Sequence, residues 1–312
     1  MPRMFRDAGQ EAIGWLLIDE AGQAQPQHAI GAVWRAKRTV LVGDPKQLES
    51  VSSIPSTVEG ALAKHYKIPS CWWPGKVSAQ ILADQTMDVG TYLPDPESEQ
   101  IWVGCPLRVH RRCDEPMFSI SNHIAYDGLM VHGKMPGLAD FPESGWLDVK
   151  GRTCEGNWVA EEGVVVEKLL LALRHQHSLT PDDVFLISPF RDCAKQLSRI
   201  AKRLGFRMDR TGTVHKTQGK EAAVVILVLG GNIKSQGAKA WAAEKPNLLN
   251  VAVSRAKQRI YVIGERALWE KQPYFSTLSR ALGSYTTTKK FFFHTGGKMP
   301  PGRKNILFRL IQ

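Results

Sequence analysis

No apolar run in the 312-residue chain approaches the roughly 18 residues that a membrane-spanning helix needs, which excludes a helical membrane protein. The amino-terminal stretch MPRMFRDAGQEAIG lacks the apolar core of a secretory signal, so an intracellular location is expected: cytoplasmic, or nuclear in a eukaryotic cell. Cysteine is sparse. The five cysteines (Cys71, Cys105, Cys113, Cys154, Cys193) form no Cys-x-x-Cys pair and have no histidine at zinc-ligand spacing, which argues against both a disulfide framework and a structural metal. Acidic residues are missing altogether from Ser284 to Gln312, where six Lys/Arg account for six of the net +11 charges and leave +5 for the rest. A basic excess suits a polyanionic partner, but a basic tail is equally a solvated, poorly ordered end.

What is present is an alternation of apolar strands and helices. The first part reads as strand Trp15–Asp19, helix Gln27–Arg35 and strand Thr39–Gly43. Residues 53–106, rich in Pro, Gly and Trp, read as an irregular insertion. PMFSISNHIAYDGLM reads as a helix running into a turn, and Val131–Gly145 as a linker. The alternation then resumes with strand Trp146–Val149, helix Trp158–His175, strand Val184–Ser188, helix Arg191–Leu204, strands Thr211–His215 and Ala223–Leu229, helix Leu248–Lys257 and strand Arg259–Gly264. Such alternation predicts α/β units in tandem, each with a parallel sheet and active residues at the carboxyl ends of its strands.

Four stretches carry chemistry. WLLIDEAGQA is an apolar strand delivering two adjacent carboxylates: Asp19 suits a divalent cation and Glu20 an attacking water. Taken alone, an apolar run ending in Asp-Glu is as compatible with a structural role. TVLVGDPKQL ends a second strand in a tight Gly-Asp-Pro turn and leaves the Gln47 amide for a phosphate oxygen or a water. GTVHKTQGKEAAVVIL joins two strands through a turn of hydroxyls, lysines and backbone N–H groups that suits a phosphate backbone, with Glu221 placed to accept from a ribose hydroxyl. NLLNVAVSRAK sets Arg255 at the end of an apolar helix, either as a surface ion-pair residue or as a finger reaching a phosphate. Trp72-Trp73 could stack bases of a single strand, although packing of the insertion is the favoured reading; Trp102, Trp146 and Trp158 are assigned to the core.

Together IDEAGQA, VGDPKQL, LISPFRDCAKQL, GTVHKTQGKEAAVVIL and NVAVSRAK resemble motifs II to VI of the superfamily 1 helicases, in order, in the branch of the nonsense-mediated-decay RNA helicase and the replication nuclease-helicases. The resemblance implies two tandem RecA-like P-loop NTPase domains, the first incomplete at its amino terminus: 1–135, containing the 53–106 insertion; 136–283; and a basic tail, 284–312. It implies ATP and Mg²⁺ as cofactors and single-stranded DNA or RNA as partner. Asp19 would hold Mg²⁺ and Glu20 activate water, with Gln47, Arg112 and Arg255 addressing the γ-phosphate and Gly219 and Glu221 facing the nucleotide. In LRVHRRCDEPM, Arg111 stands where the family has a base-stacking tyrosine, and a guanidinium can still stack there. Ser188, Pro189, Thr213, Lys216 and Thr217 would lie toward the nucleic acid. Arg112 and Arg255 would complete the site when the domains close, coupling ATP to movement.

The family's phosphate loop, Gly-x-x-x-x-Gly-Lys-Ser/Thr, is absent from this sequence. Its loss removes several charge-assisted hydrogen bonds of about 1.5–3 kcal/mol each. The expectation is therefore a chain that lacks the amino-terminal half of its first motor domain, exposes apolar sheet edges and hydrolyses ATP weakly or not at all; the alternative is a non-catalytic nucleic-acid-binding remnant.

Overall fold

The computed structural model describes residues 9–49, 54–69, 72–135, 141–217, 219–232 and 234–285. The chain divides into two compact units, Met1–Leu107 and Arg108–Gln312.

In the first unit, β1 (Ile13–Ile18) and β2 (Ala36–Leu41) pair in parallel, with Ile13 opposite Ala36 and Ile18 opposite Leu41. The connection is α1 (Pro26–Val33), which begins on a proline, a residue whose fixed φ and missing N–H suit a helix's first turn. β2 thus starts three residues before the expected strand. A parallel pair normally has both faces covered, yet here Trp15 (59% exposed) and Leu17 (72%) remain in solvent. The predicted irregular insertion is more regular than its Pro and Gly content suggests. It holds α2 (Ser56–Tyr66), α3 (Ala79–Asp84) capped by Ser78 Oγ, and an antiparallel hairpin of β3 (Gly90–Asp95) and β4 (Glu99–Gly104). Pro55, Pro69, Pro74, Gly75 and Pro96 sit between these elements and turn the chain, whereas Gly60 lies inside α2, Gly90 and Pro94 in β3 and Gly104 at the end of β4.

The second unit begins with β5 (Val109–His110), α4 (Met117–Ala125) and β6 (Val131–His132). It continues with β7 (Gly145–Asp148), the two-residue strands β8 (Cys154–Glu155) and β9 (Trp158–Val159), α5 (Ala160–His177), β10 (Val184–Ser188) and α6 (Arg191–Arg203). Then come β11 (Thr211–Thr213), β12 (Ala222–Val228), α7 (Gln236–Ala242), α8 (Asn247–Ser254), β13 (Ala256–Gly264), α9 (Arg266–Trp269), α10 (Phe275–Ala281) and β14 (Gly283–Tyr285). Six strands form one parallel sheet in the order β11-β10-β12-β13-β7-β14. Its central strands are continuous Val/Ile/Leu runs because both faces are buried. Val224, Ile226 and Val228 of β12 join Leu169, Leu173, Leu197 and Ile200 of α5 and α6 in the main core, while α8 also packs on β12 and β13.

The division at Leu107/Arg108 precedes the linker expected near residue 135. Segment 108–135 is fastened to the second unit: Ser121 Oγ donates to Asn250 Oδ1 (2.6 Å), Asp114 N to the Lys257 carbonyl (2.9 Å), and Lys134 Nζ to the same carbonyl (2.8 Å). The expected helix 248–257 likewise stops at Ser254, since β13 begins at Ala256 and leaves Arg255 as the cap residue. The tail beyond Tyr285 lies outside the described residues.

Candidate functional site

In the first unit the two chemical turns follow neighbouring parallel strands. β1 runs straight into Asp19 and Glu20, and β2 into Val42, Gly43 and Asp44. The turns interlock through backbone: Val42 N donates to the Ile18 carbonyl (2.8 Å), and Ala21 N to the Val42 carbonyl (2.9 Å). A Cβ on Gly43 would meet Gly22 N at 2.7 Å and Ala21 N at 3.1 Å, so only glycine fits this approach. Glu20 takes a left-handed backbone (φ 53°), which a non-glycine residue adopts only where its surroundings demand it. Glu20 N donates to Asp19 Oδ1 (2.8 Å) and Gln23 Nε2 to Glu20 Oε2 (3.1 Å); Asp19 is exposed and Glu20 half-buried.

Gln47 is positioned by the other turn. Asp44 Oδ1 accepts from Lys46 N (2.8 Å) and Oδ2 from Gln47 Nε2 (3.1 Å), so Asp44 orients the amide that the sequence singled out. Lys46, left unassigned by the sequence, is 1% exposed and reaches the Pro94 carbonyl (2.5 Å) and Asp95 Oδ1 (3.2 Å). Burial opposes ionisation of Asp95, but hydrogen bonds from Ser98 and the charge of Lys46 outweigh it and hold the carboxyl below the usual carboxylate range. Lys46 therefore pins the turn to the β3–β4 hairpin. No local signal reveals a partner 49 residues away.

In the second unit, residues from three separate stretches converge. Glu221 lies 3.3 Å from Arg112 Nε through Oε2 and 2.5 Å from Lys257 Nζ through Oε1. Arg255, 1% exposed, donates from Nη1 to the Lys220 carbonyl (3.0 Å). The Lys257 hydrogen bond, helped by the charges of Lys257, Arg112 and Arg255, holds Glu221 below the usual carboxylate range. Gly219, exposed and at φ +74°, begins the turn that carries Lys220 and Glu221. Arg112, Glu221, Gly219 and Arg255, all chosen from sequence, are thus neighbours, and Lys257 joins them. The signal for Lys257 was the SRAK tetrapeptide itself. Arg111, beside Arg112, is exposed.

The third group lies at adjoining strand ends. Ser188 closes β10 directly opposite Thr213 of β11. Ser188 is fully buried, Pro189 is buried, and Thr217 is 2% exposed with its hydroxyl donated to the Val214 carbonyl (2.8 Å). Thr213 is partly exposed, and Lys216 exposed. Beside them burial, reinforced by the charge of Arg191, lowers the pKa of His215 below its ordinary value. The expected strand 211–215 ends at Thr213 because Val214–Thr217 tighten into a 3-10 turn. The lysine of this turn faces out, while the Thr217 hydroxyl faces in.

The tryptophan assignments divide. Trp146 is fully buried, and Trp102 is partly buried with its indole N–H donated to the Asp84 carbonyl (3.0 Å). Trp158 packs against the main core. Trp72, favoured as packing, is instead 54% exposed, while Trp73 is half-buried.

Mg²⁺ binds through one or two carboxylates together with substrate phosphates. Among the described residues no group of three or more His, Cys, Asp or Glu could hold a metal on its own. Asp19 fits a cation shared with nucleotide phosphates and does not fit one held by protein alone. No helix of the described residues is long and apolar enough to cross a membrane.

Residues 106–267 match a family model described as AAA domain, and residues 4–53 match a second model of the same description. The DNA replication ATP-dependent helicase/nuclease DNA2 of Gallus gallus is 24% identical over 262 residues, covering 82% of this chain and 23% of that protein. Regulator of nonsense transcripts 1 of Dictyostelium discoideum is 22% identical over 288 residues, covering 84% of this chain and 19% of that protein. The chain thus spans less than a quarter of the length of either relative. Among solved structures, that of arterivirus nonstructural protein 10 (helicase) with DNA aligns over 85% of this chain and 43% of that one, at 15% identity and a TM-score of 0.41.

Proposed function

This chain belongs to the superfamily 1 helicases through its AAA domain, and from that membership we propose that it is the carboxyl-terminal part of a motor that uses ATP and Mg²⁺ to move along single-stranded nucleic acid. The observation that carries this reading is the convergence of Arg112, Glu221, Arg255 and Lys257 from three distant stretches. Two guanidiniums and an ammonium around one carboxylate form a site for phosphate charge and a ribose hydroxyl.

The chemistry divides over the two units. In the first, Asp19 would hold Mg²⁺, which supplies charge neutralisation on the phosphates. Glu20 accepts the proton of the attacking water, and Gln47, held by Asp44, orients that water or a phosphate oxygen. In the second, Arg112 and Arg255 stabilise the charge that builds on the transferred phosphoryl group. Gly219 and Glu221 face the nucleotide, and Arg111 offers its guanidinium plane to a base. Thr213, Lys216 and the turn through Thr217, beside Ser188 and Pro189, take the strand's phosphates by backbone N–H and lysine.

The motor reading requires a phosphate loop, and this sequence does not contain one. Exposed Trp15 and Leu17 on a two-stranded parallel sheet support a need for further strands there. A second reading, a nucleic-acid-binding remnant without turnover, is favoured by the absence of Gly-x-x-x-x-Gly-Lys-Ser/Thr. One set of assays separates them. Fluorescence anisotropy of a labelled single strand should show affinity that falls steeply with salt and is weakened by Lys216→Ala. ATP turnover of the chain with nucleic acid should be negligible, and should rise when the loop-bearing segment is supplied in trans. Salt-insensitive binding would sink the motor reading; failure of the supplied segment to restore turnover would leave the remnant.

A further inference from the structure

We propose that residues 56–69 and 72–77 of the insertion form a second contact for single-stranded nucleic acid, in which Tyr66 and Trp72 stack bases and neighbouring lysines neutralise the backbone. The proposal rests on the single-strand binding argued above but uses residues that none of the sequence motifs include.

The geometry starts with how the segment holds itself. α2 ends at Tyr66, and Lys67 caps it in a left-handed conformation (φ 56°) that turns the chain back. Two bonds then fasten the returning chain: Trp73 Nε1 donates to the Ile68 carbonyl (3.1 Å), and Gly75 N donates to Glu59 Oε1 (2.7 Å), one turn into the helix. A Cβ at Gly75 would lie 2.5 Å from Glu59 Oε2, so the return is close. Trp73 is consumed by this anchoring. Trp72 is not: it is 54% exposed, and Tyr66 is 67% exposed. Two exposed aromatic rings on one fastened segment form a surface on which bases can stack.

Charge selects the occupant. Lys64, Lys67 and Lys76 are all exposed, and Lys76 Nζ lies 4.9 Å from the Trp73 ring centroid. The segment's single carboxylate, Glu59, already accepts from Gly75 N. The last-turn carbonyls of α2 repel phosphate, and Lys64 and Lys67 sit where they offset that repulsion. Exposed aromatic faces among lysines, with no side-chain amide in the segment to read base edges, suit a flexible polyanion carrying stackable rings, bound without sequence preference. Val58 and Leu62, each 47% exposed on the same helix, make a protein partner the competing occupant.

The test is fluorescence anisotropy of a labelled oligothymidylate of about 20 nucleotides with the full chain. Trp72→Ala and Tyr66→Ala should each weaken binding about tenfold, at an unchanged thermal midpoint because both rings are exposed, and Trp72→Phe should restore most of the affinity. Lys64→Ala with Lys67→Ala should flatten the log–log salt slope by roughly 0.7 for each phosphate no longer neutralised, while Trp72→Ala leaves the slope alone. Unchanged binding by Trp72→Ala, with Lys216→Ala still weakening it, would overturn this surface and leave the proposed function standing. Unchanged binding together with loss of concentration-dependent self-association would overturn it in favour of a protein interface. Absence of binding by the unaltered chain would overturn both readings.

Discussion

Glu221 Oε1 stands 2.5 Å from Lys257 Nζ, linking the turn within one motif to the residue that follows Arg255 by two. Because Arg112 occupies the other carboxylate oxygen, one side chain sets the position of two cations. The Lys257 hydrogen bond and the surrounding positive charge lower the Glu221 pKa below 4.5. A lowered folded-state value means that its stabilisation is present above the unfolded value near 4.5 and is lost as pH falls through the folded value. All three side chains are more than a third exposed, so solvent screens the pair and the expected gain is under about 1 kcal/mol. Chemical denaturation of the chain and of Glu221→Gln should show a small deficit for the variant at about pH 7 that closes by about pH 3. An equal deficit at both pH values would show that Glu221 acts by packing.

Asn250 offers a larger effect. It is fully buried, accepts from Ser121 Oγ (2.6 Å) and donates from Nδ2 to Tyr126 Oη (2.9 Å). Asn250→Ala leaves the Ser121 hydroxyl, on a residue 3% exposed, without that partner, and should cost about 1–3 kcal/mol. Ser121→Ala should cost a similar amount, and the double variant clearly less than the sum. Urea midpoints at constant slope give these values. Strict additivity would mean that the two side chains do not share one interaction.

How much of this was legible in the sequence depends on what each residue's partners are. The run VVILV in β12 announces a buried strand because apolarity is a property of the segment itself, and Asp19, Glu20 and Gln47 stand out in the sequence because they lie in the turns that follow such runs. Arg112, Glu221 and Arg255 were named through their motifs, but their meeting depends on α4 packing against α8, which no spacing rule encodes. The same tertiary pairing moved the unit boundary to Leu107. Nothing local marks Lys46, whose partners lie on a distant hairpin, and composition cannot say which of the adjacent indoles of Trp72 and Trp73 the backbone anchors. The burial of Ser188 and Thr217 is not legible because a hydroxyl does not reveal what covers it: Ser188 ends β10 within the sheet, and Thr217 turns its hydroxyl back to the Val214 carbonyl.

Glu162 titrates in the opposite sense to Glu221. It is 1% exposed in the first turn of α5, and Oε2 accepts from Gly230 N at 2.9 Å in the glycine turn after β12. Burial pushes its pKa well above 4.5; the Gly230 hydrogen bond offsets this only partly, while Glu161 and Glu265 add to the rise. With the folded value raised, the unfolded chain releases its proton first. The contribution of Glu162 to stability is therefore greatest below about 4.5 and declines as pH rises toward the folded value. Glu162→Gln keeps an oxygen acceptor for Gly230 N and removes the titration. The variant should be more stable than the natural chain at about pH 8, with the advantage shrinking toward about pH 5. A variant less stable at every pH would mean that the carboxylate is ionised and required in the fold.

Gly43 tests whether the two turns of the first unit act as one piece. An alanine methyl there would fall 2.7 Å from Gly22 N and 3.1 Å from Ala21 N, both backbone atoms that cannot swing aside. Gly43→Ala must therefore push the Asp44–Gln47 turn away from the Asp19–Glu20 turn, stretching the Ala21 N to Val42 carbonyl bond of 2.9 Å. An overpacked contact of this kind costs about 1–3 kcal/mol. Gly14→Ala is the matched control, since nothing lies within 4 Å of its added methyl and a strand interior favours alanine over glycine. Thermal unfolding should fall by several degrees for Gly43→Ala and stay level or rise for Gly14→Ala. Amide exchange should quicken at Ala21 and Val42 in the first variant alone. Equal behaviour of the two variants would mean that the acid-bearing turn and the amide-bearing turn move independently, and Gln47 could then not be held in fixed relation to Asp19 and Glu20.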